Sequence, residues 1–181
     1  MKYTLAYCLI LILFSACKKE TDPRFNISKD GVGLISKTST IKDLESFFST
    51  DSIVRPSSMA EGQSSSGIIE IYEKGGKQLL SITPSEDSIP GIANIRIHDE
   101  RFVTPEGINV KSKFKEVRDK LDIKKVITSL NNVVILIREN DLYFTISKEE
   151  LPSELRFSGA EIDLVQIPDE AEIKYMMVGW N

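Results

Sequence analysis

Histidine, cysteine and tryptophan are nearly absent from this chain, whose 181 residues include one His, two Cys and one Trp. A lone histidine, His98, rules out the multi-histidine metal centres that zinc chemistry commonly uses. Serine is frequent, as at Ser57, Ser58 and Ser64 to Ser66, yet none stands in the Gly-x-Ser-x-Gly setting that exposes a nucleophile. No glycine spacing matches a phosphate-cradling loop. Basic excess is missing as well: 23 Lys and Arg stand against 27 Asp and Glu, a net charge of −4. Lys111, Lys113 and Lys115 form no concentrated patch, so nucleic acid is not an expected partner. Long apolar runs are also lacking. The stretch from Leu5 to Phe14 falls well short of the ~20 residues that a membrane-spanning helix needs.

That short run nevertheless has a clear setting. Met1-Lys2-Tyr3 supplies a positively charged start, the apolar stretch follows, and Ser15 and Ala16 supply the small residues of a cleavage point. Leu13-Phe14-Ser15-Ala16-Cys17 resembles the lipobox of bacterial lipoproteins, with Phe14 where leucine is commoner. The resemblance implies cleavage after Ala16 and lipid attachment to Cys17. Cys8 would be removed with the leader, residues 1–16, so the mature chain would hold no disulfide and no free thiol nucleophile. Its formal charge would become −5, from 22 basic and 27 acidic residues.

Residues 17–25 read as a lipidated tether, polar and without periodicity. Six residues, Lys18 to Pro23, reach at most ~20 Å. Lys18, rather than aspartate, follows the acylated cysteine, which favours the outer membrane. The Lys-and-acid composition of the tether resembles the surface-export signal of bacteroidete-type lipoproteins, and this leaves the periplasmic and surface faces both open. The expected localisation is therefore the cell envelope, with the membrane as one partner through the lipid.

Residues 26–181 read as one domain with an approximate internal duplication, residues 31–83 and 107–146. Each copy begins with a glycine-led loop and continues into a short amphipathic helix. Ile41, Leu44 and Phe48 fall at i, i+3 and i+7 in the first; Phe114, Val117 and Leu121 do so in the second. Thr40 with Asp43 approximates a capping box, and Ser112 is the expected N-cap of the second helix. A strand pair follows each helix. Ile68 to Tyr72, a Gly75-Gly76 turn and Gln78 to Thr83 form one expected hairpin; Val133 to Ile137, an Asn140-Asp141 turn and Leu142 to Ile146 form the other. Val133 to Ile137 is apolar at both parities, as for a strand buried on both faces or central in the sheet. Further strands are expected at Ile92 to His98, Ile162 to Ile167 and Ile173 to Trp180, with a helical turn near Ser147 to Leu155 whose capping pair would be Ser147 and Glu150.

The expected fold class is α+β: an antiparallel sheet with short helices packed on one face, built from two helix-plus-hairpin repeats. From Gly31 to Ile146 this pattern resembles the tandem repeat of β-lactamase-inhibitor-protein-like domains, and more weakly the small lipoproteins of the outer-membrane barrel assembly machinery. The resemblance implies a sheet that binds another protein.

No cofactor and no enzymatic activity are expected. Glu86-Asp87 and Glu149-Glu150 are adjacent carboxylates compatible with a two-carboxylate hydrolase, and they read more simply as solvated charge. Asp51-Ser52-Ile53 and Asp87-Ser88-Ile89 resemble the acceptor pattern of bacteroidete-type O-glycosylation, which makes Ser52 and Ser88 candidate modification sites in expected loops. Asn26-Ile27-Ser28 has the N-glycosylation form, to which a bacterial lipoprotein gives no use. The leading functional expectation is a membrane-tethered protein-binding or accessory module with an envelope protein as partner. An aromatic patch involving Tyr72, Tyr143 or Trp180 would serve it. The alternatives are a surface glycan or small-ligand binder and, further off, the hydrolase.

Overall fold

The computed structural model describes residues 22–56, 67–86, 88, 90–138 and 140–180. Cys17, the expected leader at residues 1–16 and most of the serine-rich stretch from Arg55 to Gly67 lie outside them. Eight strands form one antiparallel sheet: β4 (Ser52–Val54), β5 (Ile69–Tyr72), β6 (Gln78–Pro84), β7 (Ile92–Ile97), β8 (Ile123–Thr128), β9 (Asn132–Ile137), β10 (Leu142–Ser147) and β11 (Ile173–Gly179). Their order across the sheet is β4-β5-β6-β7-β11-β10-β9-β8. Three two-residue strands, β1 (Ile27–Ser28), β2 (Gly31–Val32) and β3 (Ile35–Ser36), make a smaller antiparallel sheet. The helices are short: α1 (Leu44–Phe47), α2 (Phe114–Lys120) and α3 (Ser153–Arg156). Among the described residues no helix is long and apolar enough to cross a membrane.

Alternation along each strand decides which face is buried. Register aligns Ile71, Leu80, Ile97, Met176, Phe144 and Ile135 in one row across six strands, and every one of them is buried. Ile69, Ile82, Ile95, Val178 and Leu142 form the adjacent row on the same face. Leu44 and Phe48 at α1, Phe114 and Val117 of α2, and Ile27, Val32 and Ile35 of the small sheet join these rows in a single apolar core. The helices therefore cover one face of an antiparallel sheet, as the α+β reading requires. A bulge in β6 opposite Ile71 and Tyr72 lets Leu79 and Leu80 turn into the core together.

Strand order reads alike from either edge. After α1 the chain lays down β4 to β7 as a four-stranded meander; after α2 it lays down β8 to β11, and the two meanders meet at β7 and β11. The pattern after each helix is thus longer than a hairpin, because β4 and β8 add an outer strand to each side. β9, expected to be central or buried on both faces, lies one strand in from the β8 edge, with Val133, Ile135 and Ile137 buried and Val134 and Leu136 half-buried.

Several local expectations are corrected. The helical segment at Thr40 to Phe48 closes only over Leu44–Phe47, with Asp43 Oδ2 accepting from the Thr40 N–H at 2.7 Å and from its hydroxyl at 2.9 Å. Ser112 does not cap α2. Lys113 holds that position, its N–H donating to Glu116 Oε2 at 3.0 Å, while Ser112 is buried and accepts from the Asn109 N–H. Ile162 to Ile167 is no strand; it turns through a 3-10 segment, Leu164–Gln166, with only Ile162 and Ile167 buried. Ser147 caps its turn by accepting from the Glu149 N–H, but Glu150 turns elsewhere and accepts from the Glu172 N–H at 3.1 Å.

Candidate functional site

Opposite the core, the second face of the large sheet carries the alternate residues of the same strands. Glu70, Ser81, Arg96, Met177, Tyr143 and Leu136 align in one row across it. Tyr175 of β11 pairs with Thr145 of β10 beside that row. All of these except Thr145 are half-buried, so they touch their neighbours and still meet solvent. Over Asn94 to Ile97 and Tyr175 to Val178 buried residues alternate with Asn94, Arg96, Tyr175 and Met177 on the open face, whereas register shifts earlier in each strand bury Ile92 and Ile173 at the other parity.

Its side chains hold one another. The Arg96 guanidinium lies 3.7 Å from the Tyr175 ring centroid, a stacked cation–π arrangement. Asn94 Nδ2 donates to the Tyr143 hydroxyl at 2.5 Å, reaching from β7 to β10 across β11. Gly179 makes that crossing feasible: a Cβ there would stand 3.3 Å from both Asn94 and the Tyr143 ring. Asn94 Oδ1 is buried and has no partner among the described residues. Nearer β5, the Tyr72 hydroxyl donates to Glu70 Oε2 at 2.6 Å, which together with burial raises the tyrosine's pKa above its ordinary value.

His98 follows β7, half-buried, with Nε2 2.7 Å from Ser81 Oγ. Burial, aided by the Arg96 charge and opposed by Glu70, lowers its pKa, so the ring is neutral at pH 7. A Ser–His contact alone is not an activated nucleophile, because the base must itself be oriented by a third group. Here Gln78 Nε2 donates to Ser81 Oγ at 3.3 Å, and no described residue accepts from His98 Nδ1. The carboxylate pairs do not converge either. Glu149 is exposed, Glu150 is engaged with the Glu172 N–H, Glu86 is exposed, and Asp87 lies outside the described residues. No group of three or more His, Cys, Asp or Glu among the described residues is placed to hold a metal ion.

The remaining sequence candidates divide. Tyr72 and Tyr143 do lie on the open face, but Trp180 is 8% exposed and belongs to the core. Ser52 is exposed but begins β4 instead of a loop, and the neighbouring Asp51 carboxylate is consumed by an ion pair with Arg24. Ser88 is exposed in the connection between β6 and β7, with Asp87 and Ile89 outside the described residues. Sequence reasoning does not single out Arg96, Asn94, Tyr175, Met177 and Gly179; their parity opposite to Ile95, Ile97 and Val178 is the available signal, and it is blurred by Ile92 and Ile173, which the register shifts bury at the same parity.

No protein-family model and no curated protein matches the chain. Among solved structures it is similar to the uncharacterized protein yfeY from Escherichia coli, at a TM-score of 0.49 and 9% identity, over 86% of this chain and 99% of that one. That likeness is too slight to bear on function.

Proposed function

We propose that this chain is a lipoprotein of the bacterial cell envelope, anchored through Cys17, that binds an envelope protein with the open face of its sheet. The observation that carries the reading is the central patch of Arg96, Tyr175, Met177, Asn94 and Tyr143. Arg96 and Tyr175 are fixed by stacking, and Asn94 and Tyr143 by a hydrogen bond, before any partner arrives. Aromatic and arginine residues held in this way dominate protein–protein contacts, because they supply area at little cost in conformational entropy. The mirrored strand order supports reading the domain as two copies of one helix-and-meander unit, whose junction at β7 and β11 is the middle of the patch.

A photo-crosslinking residue placed at Tyr175 in cells tests the reading, with the same residue at exposed Glu154 as reference. A discrete protein adduct at Tyr175, lost when Arg96 and Tyr143 are both changed to Ala in a protein that remains folded, supports it. Equal labelling at the two positions rejects it.

A further inference from the structure

We infer that the end of the sheet bearing Leu130 and Phe157 rests on the lipid surface itself, as a second membrane contact beside the acyl anchor. This inference depends on the lipoprotein reading given above. Leu130 is 86% exposed in the turn between β8 and β9, and Phe157 is 95% exposed just after α3. Both line one cleft of about 1080 Å³. Apolar side chains exposed to this degree and gathered at one place mark an interaction site more often than chance scatter does.

Lys148 holds the two segments together. It is 4% exposed; its backbone N–H donates to the Asn131 carbonyl at 2.9 Å, and its ammonium donates to the Ser158 carbonyl at 2.8 Å. A buried ammonium that ties together the loops beneath two exposed apolar residues makes their display a built feature of the fold. Exposed Arg156 and Lys174 also line the cleft, against the single carboxylate of Glu149. An apolar tip rimmed by cations fits an interface of acyl chains and anionic headgroups.

Topology supplies the independent observation. In the antiparallel order, β5, β7, β8 and β10 all run toward the same end of the sheet. β8 leads there into the Leu130 turn, and β10 leads into Lys148. β7 leads into Asp99 to Val103, the segment that receives the start of the described chain: the Val103 N–H donates to the Phe25 carbonyl at 2.9 Å, and Arg101 stacks on the Phe25 ring. Only four residues lie between Cys17 and Asp22, so the five steps from one to the other reach ~17 Å at full extension. A lipid on Cys17 therefore keeps this end of the sheet, and not the opposite one, beside the bilayer.

The acylated protein, reconstituted in phosphatidylethanolamine vesicles containing phosphatidylglycerol, is labelled with an environment-sensitive dye at Leu130→Cys or Phe157→Cys, and at Glu86→Cys beyond the opposite end of β6. Flotation with the vesicles, together with quenching by headgroup-level lipid quenchers several-fold stronger at 130 and 157 than at 86, is the expected result. A dye at Lys174→Cys should show the same quenching, and should lose it when Leu130 and Phe157 are both changed to Ser. Flotation with equal quenching at all three sites overturns the second contact and leaves the anchor standing. Failure to float overturns the anchor, and the inference falls with it.

Discussion

Asp99 is wholly buried and still charged. Burial by itself would raise its pKa. The Arg101 guanidinium, the Arg101 backbone N–H and the Lys77 ammonium outweigh that and bring it down from 3.8 to about 2. Arg101 in turn forks onto Glu73 at 2.9 Å through two nitrogens and lowers that carboxyl too. A folded-state pKa below the unfolded value contributes stability that is complete above about pH 4 and lost as the pH falls toward 2, about 2 kcal/mol at most. Asp99→Asn should therefore destabilise the protein by about that amount at neutral pH, and by progressively less as the pH falls below 4. Urea unfolding of both proteins across that range checks the sign; a cost independent of pH would mean that packing, not charge, sets it. The network ties the turn between β5 and β6, through Glu73 and Lys77, to the segment after β7 that grips Phe25, so it fixes where the chain enters the domain.

Among the elements, α2 has the plainest energetic role. Phe114 and Val117 are fully buried beneath the sheet, while Lys115, Asp119 and Lys120 face solvent. Phe114→Ala should cost about 3–5 kcal/mol, and Glu116→Ala, which removes the acceptor for the Lys113 N–H, about 1 kcal/mol; thermal unfolding separates the two. Both hairpins were legible from sequence, because alternation and turn residues agreed, and Gly75 and Gly76 do adopt positive φ at 116° and 94°. The outer strands were not. In Ile123 to Thr128 two consecutive lysines break the alternation, and the register shifts between Ile123 and Lys125, so no period-2 pattern survives. β4 is three residues long, too short to carry a period. Ile162 to Ile167 misled in the opposite sense: its apolar composition suggests a strand, but the Asp163 N–H donates to Gln166 Oε1 and the backbone closes into a turn. The open face was the least legible part. Each of its residues is ordinary alone, and only the register of three strands from distant parts of the sequence sets Arg96 against Tyr175 and Asn94 against Tyr143.

For the molecule as a whole, the proposed anchor at Cys17 is the feature on which the rest of the proposal depends. Cys17→Ser should abolish incorporation of a fatty-acid probe and release the protein from membranes, read by metabolic labelling and fractionation; retained labelling would remove the basis for the tether and for the lipid-facing tip. The sheet order carries one more consequence. β11 comes after the other seven strands in the chain yet sits in the middle of the sheet, between β7 and β10. Until it is in place, the two meanders present facing edges lined by Ile95, Ile97, Phe144 and Ile146, and neither edge can pair correctly with the other. Closing the sheet requires contact between residues some 80 positions apart, such as Ile97 with Met176, a separation that makes folding slow. A chain delivered through a secretion channel from its N-terminus would thus keep its most aggregation-prone edges open until its final strand emerged, and its survival in the envelope would depend on a chaperone that shields the β7 and β10 edges during that interval.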